Sequence, residues 1–152
     1  MTLLDRSNTE TVAIMDVIAR ETETFVNRDF EGWGQCWVQD TRTRLVSVSP
    51  VIGSTVLEGW PQLQAYMRRV FENGMTCEIV SFERENMQVS VEGRRAFVVF
   101  DGLSSHVDGR SEHTSETRVL LNDRDGAWRI LYASFVLRGL QRDDSGRIAV
   151  DE

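Results

Sequence analysis

The chain contains no lysine, all 17 of its basic residues being arginine. That absence excludes Schiff-base chemistry, the phosphate-loop lysine and any lysine base or nucleophile, because each needs an amine that an always-protonated guanidinium cannot replace. Cysteine is nearly as scarce. Cys36 and Cys77 form no Cys-x-x-Cys unit and sit among apolar neighbours, so they read as two reduced core thiols rather than metal ligands or a redox pair. No stretch approaches the ~20 apolar residues of a membrane span, and Met1-Thr2-Leu3-Leu4-Asp5-Arg6 lacks the apolar run of a secretory signal. A cytoplasmic protein with no membrane partner is expected. Basic surface is also missing. The net charge is −7, and Arg68-Arg69 and Arg94-Arg95 are only local pairs, so nucleic acid is not expected as a partner. Gly-x-Ser-x-Gly, His-Glu-x-x-His, Gly-x-Gly-x-x-Gly and a calcium loop are all absent. Serine hydrolase, zincin and dinucleotide-binding readings therefore lack their minimum parts, and neither a metal nor a cofactor is expected.

What is present suits one globular domain spanning 1–152. Hydrophobic residues make up 41% and charged residues 27%, enough apolar surface for one core without disulfide staples. That core is expected over about residues 9–137. The polar tail over 138–152, with Asp143-Asp144 and Gly146, reads as loosely ordered.

Ser7-Asn8-Thr9-Glu10 reads as a capping box. Behind it Val12, Met15, Ile18, Ala19, Thr22, Phe25 and Val26 recur at the spacing of one helix face, which predicts a helix over about 9–27. Asp29 is placed to cap a short second helix carrying Phe30, Trp33 and Trp37 on one side. Residues 43–48 and 54–58 form a predicted hairpin around Pro50 and Gly53. A third helix starts at Pro61, presents Leu63, Tyr66, Met67, Val70 and Phe71, and stops at Asn73-Gly74. Strands at about 76–91, 94–106, 113–122 and 127–137 follow, separated by Glu92-Gly93, Asp108-Gly109 and Asp125-Gly126. Three helices ahead of a long antiparallel meander make an α+β layout, with the helices packed on one face of the sheet.

The ordered set Asp29-Phe30-Glu31, Glu58-Gly59, Phe71-Glu72-Asn73, Glu116-Thr117-Arg118-Val119 and Asp125-Gly126-x-Trp128 resembles the association domain of calcium/calmodulin-dependent protein kinase II. Through that domain the chain is similar to SnoaL-like members of the nuclear transport factor 2-like superfamily, over roughly residues 9–137. The resemblance implies a cone-shaped, curved antiparallel sheet wrapped around three helices from the N-terminal half, the cystatin-like α+β roll. It also implies a pocket at the open end of the cone and a homodimer formed through the outer sheet face. In these relatives an arginine at the position of Arg118 points into the pocket. Here a second pocket arginine is replaced by Gly102, and a pair of histidines by Tyr132 and Ser134. No kinase region is present.

Strand alternation puts Glu116, Arg118 and Leu120 on one face, which the resemblance turns toward the cone. A buried Arg118 must be paired, either in an internal ion pair with Glu116 or by gripping an anionic or carbonyl-bearing ligand through bidentate hydrogen bonds. Trp33, Trp37, Tyr66 and Phe135 are candidates for an apolar pocket wall, with plain core as the alternative at each; Trp37 leads if the second helix sits over the cone's mouth. His106 and His113 flank the Asp108-Gly109 turn, where Glu112 and Asp108 offer oxygen ligands, though no third well-spaced ligand is evident. Asp101 lies within an apolar strand, and alternation with Gly102 places it on the outer face. Three functions fit. One is a small-molecule-binding homodimer that orients an amphipathic or carboxylate- or carbonyl-bearing ligand with Arg118. The second is a metal-free enzyme of the polyketide-cyclase, dehydratase or ketosteroid-isomerase type, with Glu116 as base or acid and Tyr132 or Arg118 stabilising an enolate oxygen. The third is an assembly module that uses the outer sheet.

Overall fold

The computed structural model describes residues 3–49, 53–73, 79–107, 109, 111–123, 125–138, 140–142 and 148–150. Its elements run α1 (Leu3–Val26), α2 (Phe30–Gln35), β1 (Arg44–Ser49), β2 (Gly53–Glu58), α3 (Trp60–Glu72), β3 (Ile79–Glu92), β4 (Arg95–His106), β5 (Ser111–Asn122), β6 (Trp128–Leu137), β7 (Leu140–Arg142) and β8 (Ile148–Val150). α1 begins ahead of the expected capping box. A box of that kind is worth only about 1 kcal/mol, and neither proline nor glycine precedes it to stop the helical backbone. The short β7–β8 ladder, Leu140 opposite Val150, likewise replaces part of the tail read as loosely ordered.

Asp29 caps α2 as expected, accepting from the Gly32 backbone N–H at 2.9 Å. Gly32 is required there, because a Cβ would collide with the Asp29 carboxyl group. α3 starts with Pro61 in its first turn, after Gly59 at φ 85.

Strands β1 to β6 form one six-stranded sheet in the order β2-β1-β6-β5-β4-β3. Every pair is antiparallel except β1–β6, which is parallel. The register defines the two faces. Leu57, Leu45, Ala133, Arg118, Val98 and Val89 form one inward row, and Thr55, Ser47, Phe135, Glu116 and Phe100 the next. Against this face pack Ile14 and Ile18 of α1, Trp33 of α2, and Trp60, Leu63, Met67 and Phe71 of α3. Burying each such side chain contributes about 1.5–3 kcal/mol, which fixes the helices on the sheet.

Two aromatic expectations change at this level. α2 ends at Gln35, so helical spacing does not carry as far as Trp37. The chain there runs alongside β6, with Val38 N–H donating to Ile130 O and Ile130 N–H to Cys36 O, each at 2.8 Å. Trp37 is 1% exposed and belongs to the core. Tyr132 faces the opposite way from that expected of a catalytic group. A bulge after Val119 pairs Val119 with Tyr132 but Leu120 with Ile130, which turns Tyr132 to the outer face beside the half-exposed Phe97 row.

Candidate functional site

Between the concave sheet face and helices α1 and α3 lies a cavity of about 370 Å³. Its apolar wall includes Phe25, Trp33, Leu45, Met67 and Phe135, and Tyr66 stands beside them. β5 contributes a polar row, Glu112, Thr114, Glu116 and Arg118, in two-residue steps along one face. Of the expected site residues, Trp33, Tyr66, Glu116, Arg118 and Phe135 thus meet in one place, and Trp37 and Tyr132 do not.

Arg118 is 2% exposed and its guanidinium is held on several sides. Nε donates to Glu21 Oε1 and Nη2 to Glu116 Oε1, both at 2.9 Å, while Nη1 donates to Thr117 O at 3.1 Å. The ring of Phe135 lies under the guanidinium carbon at 4.3 Å and that of Phe100 at 5.3 Å. Glu116 is satisfied too, since its Oε2 accepts from the Thr114 hydroxyl at 2.5 Å. The Glu116–Arg118 ion pair considered from sequence is therefore present, with a second carboxylate added. Gly102 makes room for this arrangement, because a Cβ on it would strike the Glu116 carboxylate and the Thr114 hydroxyl.

Glu21 was missed by the sequence reading. It stands at helical spacing between Ile14, Ile18 and Phe25, so a carboxylate on an apolar stripe was the available signal. Burial pushes its pKa up, and the attraction of Arg118 only partly offsets this. The negative charge of neighbouring Glu116 adds to the effect of burial, while Arg84 pulls in the same direction as Arg118. For Arg118 burial works against the charged form, but Glu21 and Glu116 outweigh it and hold the guanidinium above its ordinary value. The carboxylate–guanidinium contacts thus favour a charged Arg118, whereas burial is what favours a protonated Glu21.

Near the other end of the polar row, His106 Nε2 lies 3.5 Å from Glu112 Oε2 and 3.4 Å from Ser104 Oγ. His113 pairs with Leu103 and points to the opposite face, so the two histidines do not converge. Among the described residues no group of three or more His, Cys, Asp or Glu could hold a metal ion. Asp101 is on the outer face as alternation required, bonded to Asn86 at 2.9 Å and to Arg138 at 3.1 Å. Cys36 is buried and free, its thiol pushed up to about 11 chiefly by burial. Cys77 lies outside the described residues. No helix among the described residues is long and apolar enough to cross a membrane.

A curved sheet of this order, with three helices on its concave side, defines the nuclear transport factor 2-like, cystatin-like α+β fold, the class expected from the sequence. The particular likenesses are to three solved structures. A nuclear transport factor 2-like protein of unknown function from Pseudomonas putida KT2440 superposes with a TM-score of 0.73 at 16% identity, covering 95% of this chain and 96% of that one. One with a cystatin-like fold from Novosphingobium aromaticivorans gives 0.70 at 18% identity, covering 93% and 89%. A protein proposed to be a ketosteroid isomerase from Parabacteroides distasonis gives 0.62 at 20% identity, covering 80% and 84%. No protein-family model matches the chain, and a search of curated proteins finds no match.

Proposed function

We propose that the chain is a SnoaL-like small-molecule-binding protein of the cytoplasm, working as a homodimer, which takes an amphipathic ligand into the cone pocket. The observation that supports this is the cavity itself, about 370 Å³, a volume within the range of small-ligand sites and walled by aromatic and aliphatic side chains with a few polar groups. The polar groups select the ligand. Arg118 is already flanked by two carboxylates, and Glu112 adds a third acidic group, so the pocket disfavours a carboxylate and suits a neutral molecule with a hydroxyl or amide donor. Trp33, Tyr66 and Phe135 supply the apolar contact. Arg118 then acts as a positioning residue that fixes Glu21 and Glu116, the first of the two roles open to it from sequence, with a second carboxylate added.

Titration with 2-naphthol, a neutral aromatic alcohol, tests the reading through tryptophan fluorescence, since Trp33 lines the cavity. Saturable quenching is expected in the wild type and its loss in Ser47→Phe, which fills the cavity from β1. Equal quenching in both proteins would sink the proposal.

One observation favours a second reading, a metal-free isomerase or lyase. Glu21 borders the cavity with a raised pKa, the property a carboxylate needs to take a proton from carbon near neutral pH. In this version Glu21, not Tyr132, joins Glu116 in acid–base work, and the enolate oxygen is held by Arg118. Turnover of a β,γ-unsaturated ketone that disappears in Glu21→Gln and keeps its acidic limb in Glu116→Gln supports it; no turnover at any pH rejects it. An assembly role of the kind the kinase association domain suggests would require particles larger than a dimer in solution.

A further inference from the structure

We propose that the groove between α1 and β3 is a second binding site, which takes a monoanionic carboxylate with a short apolar chain and holds it by Arg84. The groove has a volume of about 270 Å³ and is separate from the cone cavity, although Thr22, Val26 and Phe82 border both. Arg84 differs from Arg118 in what surrounds it. Its Nη2 donates to Ile18 O at 3.0 Å and to the Thr22 hydroxyl, which aims the guanidinium along the helix. Among the described residues no carboxylate pairs with it, its Nε is buried without a hydrogen-bond partner, and Nη1 has none either.

A half-buried guanidinium with unused donors carries a desolvation cost, and an anion that reaches Nη1 offsets part of it. The stacking of Phe82 and Phe100 at 5.0 and 5.6 Å from its guanidinium carbon keeps the fork in place. Asn27 and Ser81 add polar atoms to the walls and Val80 an exposed apolar one. Glu23, also exposed on the wall, sets the charge of the occupant, because a dianion such as a phosphate monoester meets it at like-charge cost. The site stands whether or not the cone pocket binds a ligand.

The test is titration of the whole chain with sodium hexanoate, read from backbone amide shifts in a proton–nitrogen NMR spectrum. Saturable shifts centred on Thr22, Ser81 and Phe82 are expected, with a Kd on the order of 1 mM that weakens about tenfold in Arg84→Gln. Because Arg84→Gln also removes a tie between helix and sheet, Ala19→Glu, on the α1 wall of the groove, serves as the second variant. It leaves Arg84 in place, supplies a competing carboxylate, and should weaken binding by a similar factor. Three results overturn the proposal: no saturable shifts, shifts centred on Phe135 and unaffected by Ala19→Glu, or hexyl phosphate binding as tightly as hexanoate.

Discussion

Glu21 Oε1 lies 2.9 Å from Arg118 Nε, a bond between α1 and the middle of β5 that spans 97 positions in sequence. With Glu116 on the other side of the same guanidinium, it makes Arg118 the charge that keeps two buried carboxylates tolerable. Arg118→Met should therefore cost about 3–5 kcal/mol at pH 7, the usual loss when a buried pair is broken from one side. Urea denaturation measures it. A loss under about 1 kcal/mol would mean that the carboxylates are hydrated and the pair is not a buried one.

The protonation of Glu21 gives a pH dependence with a definite sign. Its pKa in the folded protein is raised above the ordinary carboxyl value of 4.5, so the folded state holds this proton more tightly than the unfolded chain does. The stability it contributes is full below the unfolded value and is lost as pH rises through the folded one. Exposed Asp40 and Asp125, lowered by hydrogen bonds from Arg42 and Arg129, act in the opposite sense in both proteins, so the comparison with Glu21→Gln cancels them. The stability of the wild type relative to Glu21→Gln should fall from pH 4 to pH 7. A flat difference curve would contradict the assignment.

Gly102→Ala probes the space that Glu116 and Thr114 occupy. The added methyl group meets both side chains at once, and displacing them breaks the 2.5 Å bond between them. Overpacking of this kind costs about 1–3 kcal/mol, seen as a lower Tm by calorimetry. The double variant Gly102→Ala, Thr114→Ala should recover part of the loss by removing the hydroxyl that the new Cβ meets. An unchanged Tm in the single variant would show that the strand simply shifts aside.

The proposed homodimer is tested on the outer sheet face. Phe97 is 50% exposed and Val56 53%, and Val48 and Val136 are exposed on the same side. Phe97→Asp places a charge in that apolar surface, and the dimer dissociation constant from sedimentation should rise by about tenfold or more. A wild type that sediments as a monomer at all concentrations, or a variant that dimerises equally well, would remove this face from consideration.

The strand and turn pattern was legible because it rests on local chemistry. Two-residue alternation delimits β4 and β5 closely, and Gly93 and Gly126 adopt the positive φ that their turns require. Glu116 and Arg118 could be placed together for the same reason, being two apart on one strand. Tyr132 could not. Counting by twos from Trp128 and Ile130 points it inward, and only the bulge opposite Val119 and Leu120 reverses it. Trp37 failed similarly, since a helix that stops two residues earlier changes which way the chain faces. Glu21 and Arg84 were hidden by distance, because what makes each notable is a partner, or the lack of one, on an element far away in sequence.

The parallel register of β1 beside β6, with Arg44 opposite Tyr132, has a kinetic side. β3 to β6 join through short reversals, whereas β1 reaches its neighbour only by closing a loop that contains α3 and most of the sheet. Such non-local pairing is entropically costly before it is rewarded and slows folding. Leu45, Ser47 and Thr55, which line the cavity, all belong to the β1–β2 hairpin. A vessel able to hold a ligand therefore exists only once this long-range seam has closed, and a ligand in the cavity would oppose its reopening.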